Sequence, residues 1–99
     1  MAIAARALET AVLALDGEPA RWGELIEEEL ERRGDDPVRL VLDLHGAPRI
    51  DAGALGTLVL ALKRVERAGG RLTLARARPE QVELLRRTGL DRLFGLAAR

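Results

Sequence analysis

Apolar residues in this chain alternate between short unbroken runs and stripes of longer period, a pattern that predicts strands and helices taken in turn. Residues 10–15, T-A-V-L-A-L, form a compact apolar run closed by Asp16-Gly17-Glu18-Pro19, which predicts a buried strand entering a turn. A further strand over residues 3–8 is expected beside it. Beyond Ala20, Trp22, Leu25, Ile26 and Leu30 recur at helical spacing among Glu24, Glu27, Glu28, Glu29, Glu31, Arg32 and Arg33. That spacing gives one apolar stripe on a charged cylinder, ended by Gly34 and Pro37.

The run V-R-L-V-L-D-L over residues 38–44 is the strongest strand signal. It holds so little polarity that it predicts a central strand covered on both faces. Gly46 and Pro48 mark residues 45–49 as a loop, and Asp51 then precedes Ala52, Leu55, Leu58, Val59, Leu62 and Val65 at helical spacing. Asp51 is the natural N-cap, because its carboxylate can accept from the free N–H groups of the first turn and meets the positive end of the helix dipole. Ala68-Gly69-Gly70 ends this helix, and R-L-T-L-A over residues 71–75 alternates as another strand. Pro79 opens a third helix, with Val82, Leu84 and Leu85 turned inward and Gly89 ending it. Leu90, Leu93 and Phe94 then pack a last short helical turn. Alternating strands and helices imply right-handed crossovers and a mixed or mostly parallel sheet carrying helices on its surface.

Composition narrows the picture. At 99 residues the chain suits one domain over residues 1–99, and with 47% apolar and 32% charged residues it has the balance of a folded protein. Sixteen basic and sixteen acidic residues cancel, so no overall field draws it to nucleic acid or anionic lipid. The halves do not cancel: residues 1–44 hold 11 Asp/Glu against 5 Arg, and residues 45–99 hold 11 Arg/Lys against 5 Asp/Glu, or −6 and +6. Solvated helix faces account for the split, and so does a docking dipole. With no cysteine, disulfides and thiolate chemistry are excluded and a cytoplasmic location is expected. No stretch approaches the roughly 20 apolar residues of a membrane span, so direct membrane insertion is not expected. Arg86, Arg87 and Arg92 form a basic cluster, but Trp22 and Phe94 are the only aromatics, leaving nothing for bases to stack upon.

The stretch L-V-L-D-L-H-G-A-P-R-I-D-A-G-A-L-G-T-L over residues 40–58 resembles the central block of STAS domains, the fold of bacterial anti-sigma-factor antagonists. There an apolar strand ending in Asp-Leu runs through a short loop into D-S-S-G-L-G. A-G-G-R-L-T-L over residues 68–74 and L-L-R-R-T-G-L-D-R-L-F over residues 84–94 resemble two further family stretches, in the right order. The resemblance spans residues 12–94 and implies a STAS-like α/β fold with an about four-stranded mixed sheet and helices packed on it. It also implies a signalling adaptor in transcription regulation that binds a protein, without cofactor or metal. The implied partner is an anti-sigma factor or a histidine-kinase-like ATPase, or alternatively the ATPase subunit of a lipid-transport ABC system, since STAS accessory subunits serve such transporters as well.

The family's switch is a serine at the N-terminus of the second helix, phosphorylated by the partner kinase, and a helix N-terminus is a suitable place for an anion. By position, D-S-S-G-L-G falls on Asp51-Ala52-Gly53-Ala54-Leu55-Gly56, so Ala52 and Gly53 mark a lost phosphosite. The chain contains no serine or tyrosine; Thr10, Thr57, Thr73 and Thr88 are its only side-chain hydroxyls. Thr57 lies one turn beyond Gly53 and could substitute as acceptor, although a helical threonine usually bonds back to a carbonyl. The family's early L-x-G-x-x-D pattern falls on residues 15–20 and puts Ala20 where an acidic residue is common. A partner surface is therefore expected on Arg49, Asp51, Ala52, Gly53, Ala54, Gly56 and Thr57, where small residues let another backbone approach.

Catalysis has little to work with. His45 is the single histidine, and with no Ser or Cys nucleophile an acyl-transfer site cannot be assembled. Asp43, His45 and Asp51 could be drawn as a metal set, but strand-end and N-cap roles already explain them. The glycines near residue 53 match neither phosphate-binding glycine motif. No catalytic residue is assigned.

Overall fold

In the computed structural model, residues 8–34 and 36–96 are described. The chain order is β1 (Glu9–Ala14), α1 (Trp22–Arg32), β2 (Val38–Asp43), α2 (Ala52–Arg67), β3 (Arg71–Ala75), α3 (Pro79–Thr88) and β4 (Gly95–Leu96). Short 3₁₀ turns at Pro19–Arg21 and Leu90–Arg92 precede α1 and β4. The strands form one sheet in the order β1-β2-β3-β4. All three pairings are parallel, with Leu40 opposite both Ala11 and Leu72, and Leu42 opposite both Leu13 and Leu74. The sheet has the expected number of strands. An antiparallel member would have to come from the strand expected over residues 3–8, of which 3–7 lie outside the described residues.

Sequential parallel strands joined by right-handed crossovers place every connecting helix on the same face. Burial agrees: Ala11, Val38, Leu40, Leu42, Leu72 and Leu74 turn to the helices and are buried. They meet Trp22, Ile26 and Leu30 of α1, Ala54, Leu58, Leu62 and Val65 of α2, and Leu85 of α3 in one core. Each such leucine is worth about 1.5–3 kcal/mol by transfer from water. Trp22 is fully buried, and its indole N–H donates to the Asp16 carbonyl at 3.4 Å.

Two expectations about the sheet need correction. β1 is not buried throughout: Thr10, Val12 and Ala14 face outward, and Val12 is 68% exposed. Nor is β2 covered on both faces, since Arg39 is exposed while Val41 and Asp43 are half-buried. In β1 only Thr10 marks the wet face, whereas in β2 Arg39 and Asp43, four residues apart, do mark it and the apolar Val41 between them masks the alternation. Val12, Val41 and Thr73 stand in register across three strands and shield one another's flanks.

The C-terminal ends of three strands are aligned. The Leu15 N–H donates to the Asp43 carbonyl and the Leu44 N–H to the Ala75 carbonyl, both at 2.9 Å, carrying the ladders past the strands into the loops. In α2 the inward face is Ala54, Leu58, Ala61, Leu62 and Val65, whereas Ala52, expected in the stripe, is exposed on the first turn. Leu93, expected to pack, is 53% exposed; Phe94 beside it fills the core.

Candidate functional site

Open α/β sheets present their sites at the carboxyl ends of the strands, where the loops gather. The loop from β2 to α2 lies on that edge and is held from both sides. Ala47 and Ile50 are buried beneath it. Above it, the Arg78 guanidinium donates to the Ala47 carbonyl. Gln81, 2% exposed, donates through Nε2 to the Leu44 carbonyl at 3.2 Å and accepts the Arg78 N–H at 2.7 Å, so both of its polar atoms are used. The sequence pattern did not single out Gln81; its one signal is a glutamine at the third position of a helix opened by proline, a capping-box position.

Asp43 ends β2. Its Oδ1 accepts the His45 N–H at 2.9 Å, and its Oδ2 lies 3.5 Å from a guanidinium nitrogen of Arg76. Arg76 has φ +55, a left-handed turn residue where the sequence offers no glycine to announce it. Asp43 and His45 are thereby employed in the turn. Among the described residues no three His, Cys, Asp or Glu side chains converge as metal ligands.

Asp51 caps α2. Its Oδ1 accepts the Ala54 N–H at 2.8 Å, and its carbonyl accepts the Leu55 N–H at 3.0 Å. Ala52, Gly53 and Gly56 lie exposed on the first turn and a half. Ala54, placed by sequence among the contact residues, instead points into the core at 2% exposure, so its methyl group supports the helix from below. The Thr57 hydroxyl donates to the Gly53 carbonyl at 3.2 Å, the back-bonding typical of a helical threonine.

A cleft of about 480 Å³ opens between this turn and the Pro19–Arg21 turn, lined by Glu18, Pro19, Ala20, Asp51, Gly53 and Thr57 among others. Ala20 borders the first turn of α2, and both charged groups at the cleft, Glu18 and Asp51, are acidic. Arg49 does not join them. It lines a separate cleft of about 540 Å³ against α3, with Arg78, Glu80, Glu83 and Arg87. The two expected rim residues therefore line different concavities, one on each side of the buried Ile50 in sequence.

The sequence matches the STAS domain family over residues 7–99. The chain belongs to the STAS family. Solved structures agree with the STAS fold. A Thermotoga maritima protein described as a candidate anti-sigma factor antagonist superposes with a TM-score of 0.73 at 22% identity, covering 88% of this chain and 77% of that one. A sulfate transporter family protein from Wolinella succinogenes gives a TM-score of 0.75 at 18% identity, over 91% of this chain and 76% of the other. The Bacillus cell fate determinant SpoIIAA, solved in its phosphorylated form, gives 0.64 at 18% identity, over 94% and 86%. No curated protein matches the chain by sequence. Among the described residues no helix is long and apolar enough to cross a membrane.

Ala52 and Gly53 lie at the solvent-facing start of the helix, and neither carries a hydroxyl. The Thr57 hydroxyl on the same face is already engaged.

Proposed function

We propose that this STAS domain is a non-enzymatic protein-binding module resembling an anti-sigma-factor antagonist. It docks a regulatory partner on the loop and N-terminal turn of α2, without control by serine phosphorylation. The observation that carries this reading is the first turn of α2: exposed, capped by Asp51, and free of any side chain larger than a methyl group at Ala52, Gly53 and Gly56. Such a surface lets a partner's backbone approach closely and leaves N–H dipoles near the contact. Arg49, Asp51, Ala52, Gly53, Gly56 and Thr57 are the contact residues in this reading, with Ala54 supporting them from the core.

Several features support a constitutive binder. With no serine or tyrosine in the chain, and with Thr57 tied to a backbone carbonyl, a phosphate-operated switch has no ready acceptor at this turn. Chemistry is equally short of groups: the lone His45 is exposed, and the nearest carboxylate in its turn, Asp43, accepts the His45 backbone N–H. In this reading the whole chain acts as one cytoplasmic domain, and its partner is an anti-sigma factor or histidine-kinase-like ATPase.

The missing hydroxyl also suits a second partner class, the ATPase subunit of a lipid-transport ABC system, where no kinase is involved. Affinity capture of tagged protein from its native lysate, wild type beside Gly53→Glu, separates the two. A kinase-like partner retained by wild type and lost by the variant supports the antagonist reading, whereas transporter ATPase and permease subunits would select the second. Equal retention by both proteins would remove the α2 turn from consideration.

A further inference from the structure

Two leucines stand out on the helical side of the molecule, at opposite corners. Leu60 of α2 is 68% exposed beside a groove of about 380 Å³ between α1 and α2. Gly23 keeps the groove open: a Cβ there would meet only the Thr57 methyl, at 3.9 Å. The rim is acidic, with Glu24 and Glu27 lining it and the exposed Glu28 next in sequence; Glu27 is bridged to Arg64. Leu93, 53% exposed, follows the Leu90–Arg92 turn, and Arg86, Arg87 and Arg92 are exposed close to it in sequence. Among the described residues, Glu24, Glu28, Arg86 and Arg92 take part in no ion pair.

Topology keeps these features apart within one chain. The groove is built at the start of α1, beyond the C-terminal end of β1, which is one outer strand of the sheet. Leu93 sits just ahead of β4, the opposite outer strand, at the sheet's other end. One molecule therefore displays an apolar groove lined by the free carboxylate of Glu24 and, on its far corner, an exposed leucine preceded in sequence by the free guanidinium groups of Arg86 and Arg92.

We propose that the Leu93 corner of one copy docks into the Leu60 groove of a second copy, head to tail. Leu93 and Leu60 leave water together, and Arg86 and Arg92 meet Glu24 at the rim, where complementary charge steers the encounter and fixes its register. The occupant is a second copy because this chain itself carries both halves of the match, a free carboxylate at the groove and free guanidinium groups beside Leu93 in sequence. The contact is heterologous, so each added copy leaves one groove and one knob unused, and growth continues until a ring closes. The inference does not depend on the function proposed above. On that reading, however, Thr57 borders both this groove and the α2 cleft, so partner and second copy would compete for one helix face.

Sedimentation velocity from micromolar to millimolar concentration tests the proposal. Wild type is expected to pass beyond a dimer as concentration rises, less so at high salt. Leu60→Asp and Leu93→Asp should each stay monomeric, with association at least about tenfold weaker, because an anchor that must leave water has become a charge. An equimolar mixture of the two should give a dimer that grows no further, since Leu60→Asp still offers its knob and Leu93→Asp still offers its groove. Both sites are exposed, and circular dichroism checks folding; the Arg86→Glu, Arg92→Glu double variant removes the charge match without touching either leucine and should weaken association likewise. A wild type that remains monomeric at millimolar concentration, one that stops at a dimer, or a mixture no more associated than its components would overturn the proposal.

Discussion

The two ends of α2 are both rich in glycine, and they use it for opposite reasons. At the C-terminal end Gly69 has φ +86, and its N–H donates to the Glu66 carbonyl at 2.9 Å, closing the helix in a left-handed turn. Gly70 then passes so near β2 that a Cβ would lie 2.9 Å from the Val38 nitrogen, closer still to the Val38 carbonyl oxygen, and 3.1 Å from Val65. The fold demands these residues. At the N-terminal end a Cβ on Gly56 would meet nothing within 4 Å, and one on Gly53 only the Asp51 carboxylate at an ordinary 3.5 Å. Both sit in a regular helix where alanine is the better residue by up to about 1 kcal/mol. Among the described residues nothing asks for glycine there, which is what the docking surface proposed above requires.

The contrast can be broken by substitution. Gly70→Ala should cost about 3 kcal/mol, because the clash is with backbone atoms of a central strand that cannot yield; a shift in urea midpoint at constant slope would record it. Gln81→Leu comes next at about 2 kcal/mol, since it orphans the Arg78 N–H and leaves the Leu44 carbonyl with the Ala47 N–H alone, loosening the loop ahead of α2, with the same titration as readout. Asp51→Ala removes the cap and should cost about 1 kcal/mol, while Asp51→Asn or Asp51→Ser should recover most of it.

Much of this architecture was legible in the sequence, for physical reasons that also explain the gaps. Proline opening α3, Gly89 ending it at φ +78 and Asp51 capping α2 are local signals, and local signals survive without knowledge of the tertiary structure. Runs such as residues 10–15 fix a strand but not its buried face, since burial alternates there between residues of equal polarity. The candidate site was legible only in part. Ala54 and Ala52 are the same residue two positions apart, and only the helix phase turns one inward and leaves the other in water. Arg49 and Asp51 are close in sequence yet line different clefts, a separation that no local pattern reports. The Leu60 groove has no sequence signal, because it is built from two helices whose 37-residue separation, seen in the Glu27–Arg64 pair, no local pattern reports.

The smallest expected effect is the most telling, because its sign is unusual. Thermal unfolding of the Gly53→Ala, Gly56→Ala double variant should show a gain of about 1 kcal/mol, a rise in Tm of roughly 4–8 °C, as alanine replaces glycine in an exposed helical turn with room for each methyl group. A Tm that falls would show that the fold itself needs these glycines, and the case for an outward-facing docking surface at the start of α2 would fall with it.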